Sequence, residues 1–227
     1  MATSSLDREA VKQMLLFMAD RVIAAEPVLS EADRHLGDGD HGLGMARGFS
    51  AVKARLGSEN PESIAKLFGA AGMAMINTMG GASGALFGTM FRNDGKALEG
   101  RCEFDSGALA AFLEAAVAGV RARGGAKPGE KTMIDALEPA ALKARELAEF
   151  SLPEAASAVA AAAQSGQEAA KAMRAAVGRA RALGAASVGH PDPGAISVTV
   201  ILDAVRDYCA SGRKVPYSSE ADSERQT

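Results

Sequence analysis

The strongest constraint on the fold is a series of apolar residues at helical spacing, interrupted by glycine-rich segments. From Leu6 to Leu29, for example, apolar residues recur every three or four positions, as on one face of an α-helix. Only 4% of the residues are aromatic, whereas alanine is abundant, above all in residues 154–182. Because alanine is the best helix former and small side chains let helices approach closely, the sequence predicts an all-α bundle.

The helical pattern and the glycine-rich breaks also predict the extent of the elements. Predicted helices span residues 7–29, 43–56, 61–79, 83–92, 106–123, 132–149, 151–165, 167–183 and 195–210. No linker or internal repeat divides them, so residues 1–211 are expected to form a single domain. Residues 212–227 are polar, and we expect a disordered tail there.

Composition and charge exclude several classes of function. The net charge is −3, and the sequence lacks a basic patch with interleaved aromatic residues. Nucleic-acid binding is therefore not predicted. Cys102 and Cys209 are far apart and form no Cys-x-x-Cys motif, which indicates reduced thiols and a cytoplasmic protein. The apolar run at residues 14–19 follows charged residues and is too short to span a membrane.

Residues 33–44 are the most chemically loaded segment, with three aspartates, two histidines and four glycines. Asp33, Asp38 and Asp40 can converge only if the backbone turns sharply, and Gly37 and Gly39 permit such turns. Because crowded carboxylates repel one another, a hard cation stabilises them, and Mg²⁺ with phosphates is typical of such an open site. The alternative interpretation is a polar turn that caps a helix.

Three further segments carry polar or glycine-rich motifs: residues 80–84, 124–132 and 186–195. The small residues at 80–84 would let backbone N–H groups approach phosphate, and Ser83 adds a hydroxyl; the same glycines could instead permit tight helix contact. The turn at 190–194 could hold a ribose or base edge, or Asp192 could simply cap the last helix. In an up-and-down bundle, all four segments could meet at one rim.

Two apparent motifs are rejected. Residues 37–42 match Gly-x-Gly-x-x-Gly, but no strand precedes them, and Asp38 and Asp40 would repel a pyrophosphate. Residues 124–132 approach a Walker A loop, but Glu130 is inserted before Lys131 and a helix precedes the loop. Zinc is unsupported because the histidines lack metal-ligand spacing; His41 is expected to face phosphate at a helix N-terminus.

The loops together resemble one known family. The motifs are Gly-Asp-Gly-Asp-His-Gly at 37–42, Gly-Gly-Ala-Ser-Gly at 80–84, Pro-Gly-Glu-Lys-Thr-Met-Ile-Asp at 128–135 and Gly-His-Pro-Asp-Pro-Gly at 189–194. In this order, within a match over residues 29–202, they are similar to the nucleotide-binding L subunit of dihydroxyacetone kinase and to the C-terminal domain of single-chain dihydroxyacetone kinases. The resemblance implies an eight-helix antiparallel barrel that binds ADP or ATP with two Mg²⁺ ions at one rim.

The resemblance also implies site residues. The metal-binding aspartates fall on Asp33, Asp38 and Asp40. The nucleotide-binding positions fall on His41, Gly42, Leu43, Gly44, Ala82, Ser83, Gly124, Met133, Arg179, Asp192, Pro193 and Gly194. No catalytic residue is assigned. The chain departs from the family pattern at Gly44, usually Asn, at Arg181 and Ala182, usually Ser and Tyr, and at Ala186, usually Arg.

The implied activity is phosphoryl transfer that requires a second protein. The L subunit presents the phosphoryl group of Mg-ATP, or of rephosphorylated ADP, to a small ketose held covalently by a histidine of a separate K subunit. A phosphohistidine protein of the phosphotransferase system would rephosphorylate the ADP. The partner would decide between dihydroxyacetone and a four-carbon ketose. The alternatives are an ADP-sensing regulatory subunit that contacts a transcription factor, and a purely structural bundle; a homodimer is left open.

Overall fold

Residues 5–211 are described in a computed structural model, apart from the side chains of residues 93 and 94, and the predicted tail at 212–227 lies outside them. The described residues form nine α-helices and one 3₁₀ helix, η1. Their bounds are α1 Arg8–Ala24, α2 Glu26–Leu36, α3 His41–Ser58, α4 Ile64–Thr78, α5 Gly81–Ala97, α6 Ser106–Gly124, α7 Ile134–Glu146, α8 Leu152–Ala170, η1 Arg179–Ser187 and α9 Pro193–Ala210. The predicted all-α class is confirmed.

The helices form a closed ring. Helix α3 packs on α1, each helix from α4 to α9 packs on the one before it, and α9 returns to pack on α1. Helix α2 lies outside this ring, against α3 and α9.

Two of the differences between the predicted and observed helix boundaries have a clear local cause. The helix predicted for residues 7–29 is divided at Ala25, and Pro27 lies in the first turn of α2. Proline removes a hydrogen bond inside a helix but costs nothing in the first turn, where the N–H has no partner. Helix α4 begins after Ser63 rather than at Pro61, because the Ser63 hydroxyl accepts a hydrogen bond from the N–H of Lys66 at 3.2 Å.

The break predicted at Gly166 is wrong. Helix α8 continues through Gly166 to Ala170, residues 171–178 are not helical, and η1 covers only residues 179–183 of the helix predicted for residues 167–183. A Cβ atom at Gly166 would overlap the carbonyl oxygen of Asp135 and lie 3.1 Å from the Cα atom of Ala136 in α7. The glycine therefore permits α7 and α8 to touch through their backbones instead of ending a helix.

The core of the ring is apolar. Phe68 of α4 lies at its aromatic centre, with ring centroids 4.8 Å from Phe112, 5.8 Å from Phe104 and 6.1 Å from Phe91. Elsewhere alanine, leucine, valine and methionine fill the space between helices. Across residues 5–211, no helix combines the length and the apolar character that crossing a bilayer requires.

Replacing Gly166 with alanine should destabilise the fold, because the new Cβ atom would meet the backbone of α7. Overpacking of this kind costs about 1–3 kcal/mol of unfolding free energy, which urea unfolding would measure. Gly69→Ala in α4 is the matched control, since no atom lies within 4 Å of its Cβ position; helix propensity there favours alanine by up to about 1 kcal/mol. Equal stability of the Gly166 variant and the parent would contradict the close packing of α7 and α8.

Candidate functional site

The four motif-bearing segments meet at one end of the ring. The His41 imidazole, at the start of α3, contacts Ser83 at the start of α5 and Ser197 in α9. A Cβ atom at Gly194 would lie 3.3 Å from the Cβ atom of Met133. The start of α9 therefore lies next to the residue that precedes α7. The expected common rim is therefore present.

Three carboxylates converge at this rim. Asp33 lies in the last turn of α2 and is 8% exposed, whereas Asp38 and Asp40 are exposed in the turn before α3. One oxygen from each of the three lies within 4.8 Å of the others. Gly39 has a φ of 79°, and a Cβ atom at Gly37 would overlap the Asp33 carboxylate. Both predicted glycine turns are therefore needed, and the oxygen set suits a hard divalent cation.

The pKa values of Asp38 and Asp40 are shifted in opposite directions. Desolvation, followed by the neighbouring Asp38 carboxylate, raises the pKa of Asp40. For Asp38, desolvation acts upward but is outweighed by a hydrogen bond from Asp40 and by the charge of Arg179, so its pKa is lowered. Arg179, the first residue of η1, forms an ion pair with Asp38 and lies 3.7 Å from Asp40. The cluster thus attracts positive charge.

His41 connects this cluster with two other elements. Its backbone N–H donates to Asp33 Oδ2 at 3.1 Å, while Nδ1 lies 3.2 Å from Ser83 Oγ and Nε2 lies 2.8 Å from Ser197 Oγ. Burial lowers the pKa of the imidazole, although the Asp33 charge opposes the shift. The ring is predicted to face phosphate; in the structure, both ring nitrogens lie within hydrogen-bond distance of serine hydroxyls.

Helices α3 and α5 both begin at the rim, and N–H groups in a first helical turn lack intrahelical partners and favour anions. Five predicted nucleotide-binding residues lie in these turns: Gly42, Leu43, Gly44, Ala82 and Ser83. Position 42 requires glycine, since a Cβ atom there would overlap the carbonyl oxygen of Glu26 in α2. Position 44 does not, because the nearest atom to a Cβ there is the Met79 carbonyl oxygen at 3.9 Å.

The other predicted residues line the rim around α6, α7 and α9. Asp192 caps α9 by accepting a hydrogen bond from the N–H of Ala195 at 2.8 Å, and Pro193 is the first residue of that helix. Burial raises the pKa of Asp192 to about 7. Gly124 ends α6, where the atoms around its Cβ position belong to Leu86 of α5.

Lys131 is a buried residue whose role the sequence did not predict. It has a φ of 61°, which is rare for any residue but glycine. Its ammonium group donates to the carbonyl oxygens of Ala170 at 2.7 Å and Lys171 at 3.2 Å, which closes the end of α8. Desolvation lowers its pKa, against the charges of Asp192 and Asp135. The lysine of the Walker-like segment therefore serves the fold, consistent with the rejection of a P-loop.

Two more polar residues were missed. Asp135 accepts hydrogen bonds from the N–H groups of Gly129 at 2.5 Å and Thr132 at 2.7 Å, and so shapes the loop before α7. Its three-residue spacing from Thr132 was the available signal. Ser197 is fully buried in α9, and a serine within an apolar helical segment was the only clue to it.

The raised pKa of Asp192 predicts a pH-dependent stability. Because its folded pKa of about 7 exceeds that of an unfolded aspartate, the folded state holds the proton more tightly, and stability falls as pH rises from about 4 to 7, by about 1.4 kcal/mol per unit of pKa difference. Asp192→Asn keeps a capping oxygen but cannot ionise, so its Tm should rise relative to the parent between pH 5 and pH 8.

Asp105→Asn provides the matched control for that measurement, because Asp105 caps α6 with an equivalent bond to the N–H of Ala108 at 2.7 Å but is about half exposed. Its Tm difference from the parent should change less over the same pH range. A constant difference for Asp192→Asn would contradict the effect of burial on this carboxyl group.

The chain is similar to known proteins over most of its length. Residues 35–207 match the DAK2 domain. The chain is 38% identical to the ADP-binding subunit DhaL of PEP-dependent dihydroxyacetone kinase 1 from Listeria innocua (88% of this chain, 96% of the relative) and 36% identical to the DhaL subunit from Escherichia coli (87% and 95%).

Among solved structures, the fold matches the dihydroxyacetone kinase from C. freundii in complex with AMP-PNP and Mg²⁺. The TM-score is 0.68 at 27% identity, over 87% of this chain and 33% of that chain. The present chain thus spans about a third of that longer kinase. The domain match and the identity over nearly the whole length of two subunits confirm the resemblance seen in the motifs: the chain belongs to the DAK2 domain family.

Proposed function

We propose that this chain is the nucleotide-binding, phosphoryl-donating subunit of a small-ketose kinase of the dihydroxyacetone type. The observation that carries the proposal is the convergence of three carboxylates with the N-termini of α3 and α5 at one rim. Carboxylates alone would repel a nucleotide, and helix N-termini alone would not hold a cation. A metal–nucleotide complex satisfies both halves of the site.

Asp33, Asp38 and Asp40 would hold Mg²⁺, since their oxygens lie close enough to share a cation. When bound, Mg²⁺ supplies charge neutralisation to the phosphoryl group in transfer. The N–H groups of residues 42, 43, 82 and 83 would bind the phosphates, and Gly44, whose N–H donates to the Asp40 carbonyl oxygen at 2.9 Å, would line the phosphate site. Arg179 is close enough to Asp38 and Asp40 to add positive charge beside them.

The nucleoside would lie along the remaining part of the rim. Gly124, Met133 and residues 192–194 belong to the ends of three different helices, and the contact between Gly194 and Met133 holds two of these ends together. Binding here would direct the phosphates toward α3 and α5, where the carboxylates lie.

The acceptor hydroxyl would come from a ketose held by a separate K subunit. Phosphoryl transfer depends on positioning and charge neutralisation more than on a protein nucleophile, so no general base in this chain is needed. The rim is open to a partner, since the Leu43 residue is 60% exposed and the Arg179 side chain 63%. Such a nucleotide-dependent subunit would act in the cytoplasm.

The names of the similar subunits favour one phosphoryl donor. Both are described as PEP-dependent and ADP-binding, which supports a cycle in which ADP stays bound and is rephosphorylated by a phosphohistidine protein of the phosphotransferase system. We expect ADP to remain on the purified chain through long dialysis in Mg²⁺, as measured by chromatography of the denatured protein. Rapid loss of ADP together with many turnovers of ATP would contradict this cycle.

Mg-ADP should raise the Tm of the chain, because a ligand at a hundredfold its Kd adds about 2.7 kcal/mol of stability. Asp38→Asn should lose most of that rise, since it removes a charge from the proposed metal cluster. Asp20→Asn is the matched control: Asp20 pairs with Lys53 across α1 and α3 and should leave the rise unchanged. If Mg-ADP does not raise the Tm of the parent chain, the proposal is contradicted.

Activity is tested by adding a K subunit, dihydroxyacetone, Mg²⁺ and a phosphohistidine protein of the phosphotransferase system, kept phosphorylated by PEP, to the ADP-bound parent chain. We expect a ketose phosphate, detected by mass spectrometry, and a large loss of product with Asp38→Asn but not with Asp20→Asn. Nucleotide binding without any sugar phosphate would support the ADP-sensing role instead.

A further inference from the structure

Ser197 occupies an unusual position for a polar residue. It is fully buried in α9, and its hydroxyl lies 3.0 Å from the Pro193 carbonyl oxygen, one turn earlier, to which it donates. Thr199 makes the same kind of bond, to the Ala195 carbonyl at 3.1 Å. Bonds of this kind are common for serine and threonine in helices. Ser197 differs from Thr199 because its oxygen also lies 2.8 Å from Nε2 of His41, in α3.

The direction of these hydrogen bonds follows from the number of protons. A serine hydroxyl has one proton, and here it goes to the Pro193 carbonyl oxygen. The Ser197 oxygen is then an acceptor for Nε2 of His41, and the same imidazole also has the Pro193 backbone as a hydrogen-bond partner. The other ring nitrogen, Nδ1, lies 3.2 Å from the Ser83 hydroxyl at the start of α5. One rigid ring therefore connects α9 with α5.

We propose that Ser197 is a positioning residue for phosphate binding: it fixes the His41 imidazole, which in turn holds Ser83 and the first turn of α5 at the rim. The inference rests on the proposed function, because the proposed role of Ser83 is to contact phosphate. By this inference, a residue of α9 affects phosphate binding at the start of α5, a different helix. Since the backbone of His41 also donates to Asp33, the same residue keeps the phosphate loop in register with the carboxylates.

The test is a double-mutant cycle on Mg-ADP affinity, measured by calorimetry with Ser83→Ala, Ser197→Ala and the double variant. Loss of one buried hydrogen bond should weaken binding about five- to tenfold in each single variant. If Ser197 acts through His41 on Ser83, the double variant should bind no more weakly than Ser83→Ala alone. Losses that multiply in the double variant, or parent affinity in Ser197→Ala, would overturn the proposal.

Thr199→Val is the matched control, since it removes a buried hydroxyl from the same helix without touching His41. It should bind Mg-ADP as the parent does, and its Tm measures the structural cost of losing such a bond. A Thr199→Val variant that weakens binding as much as Ser197→Ala would show that any damage to α9 has this effect and would overturn the specific role of Ser197.

A second measurement needs no nucleotide and so separates this inference from the proposed function. The imidazole ¹⁵N signals of His41, recorded at one pH, should move in Ser197→Ala and in Ser83→Ala but not in Thr199→Val. Unchanged signals in Ser197→Ala would contradict the link even if Mg-ADP binds. Moved signals in a chain that fails to bind Mg-ADP would support the link and reject the nucleotide role.

Discussion

Backbone contact between neighbouring helices is the constraint on which the rest of this structure depends. A Cβ atom at Gly72 would lie 2.5 Å from the N atom of Arg92, and one at Gly95 would lie 2.7 Å from the carbonyl oxygen of Ala65. Helices α4 and α5 therefore approach as closely as their backbones allow, and Gly166 does the same for α7 and α8. Ring closure at such short range draws the helix ends together, so side chains as short as serine and aspartate can reach across the rim.

The site uses this short range to combine opposite charges. Three neighbouring carboxylates repel one another, and so do the partial positive charges of two neighbouring helix N-termini. Placed side by side, they present a negative and a positive surface to one ligand. His41 connects the carboxylates with the start of α5, since its backbone N–H donates to the Asp33 carboxylate while its ring contacts the Ser83 hydroxyl.

Sequence reasoning succeeded where the determinant is local. Helical periodicity predicted the all-α class, and glycine spacing predicted that Asp33, Asp38 and Asp40 converge. It failed where the determinant lies on another element. From the sequence, Gly166 predicts the end of a helix, but the structure shows that it permits close contact with the backbone of α7. The role of Ser197 depends on a residue 156 positions away, and no local pattern encodes such a partner. The crowding of the three aspartates indicated the metal positions, whereas the nucleotide positions came from the resemblance of whole motifs and not from any single one.

The use of Lys131 as a closure for α8 has a consequence for ligand affinity. Its buried ammonium group, together with Asp135, ties the loop before α7 to the body of the protein. The conformational entropy of that loop is lost during folding, so a ligand that touches it meets a preorganised surface. The η1 side is different, because it is attached to the carboxylates through the exposed ion pair of Arg179, and exposed ion pairs contribute little. One side of the rim is thus preorganised by buried hydrogen bonds, whereas the contact between η1 and the carboxylates depends on an exposed ion pair.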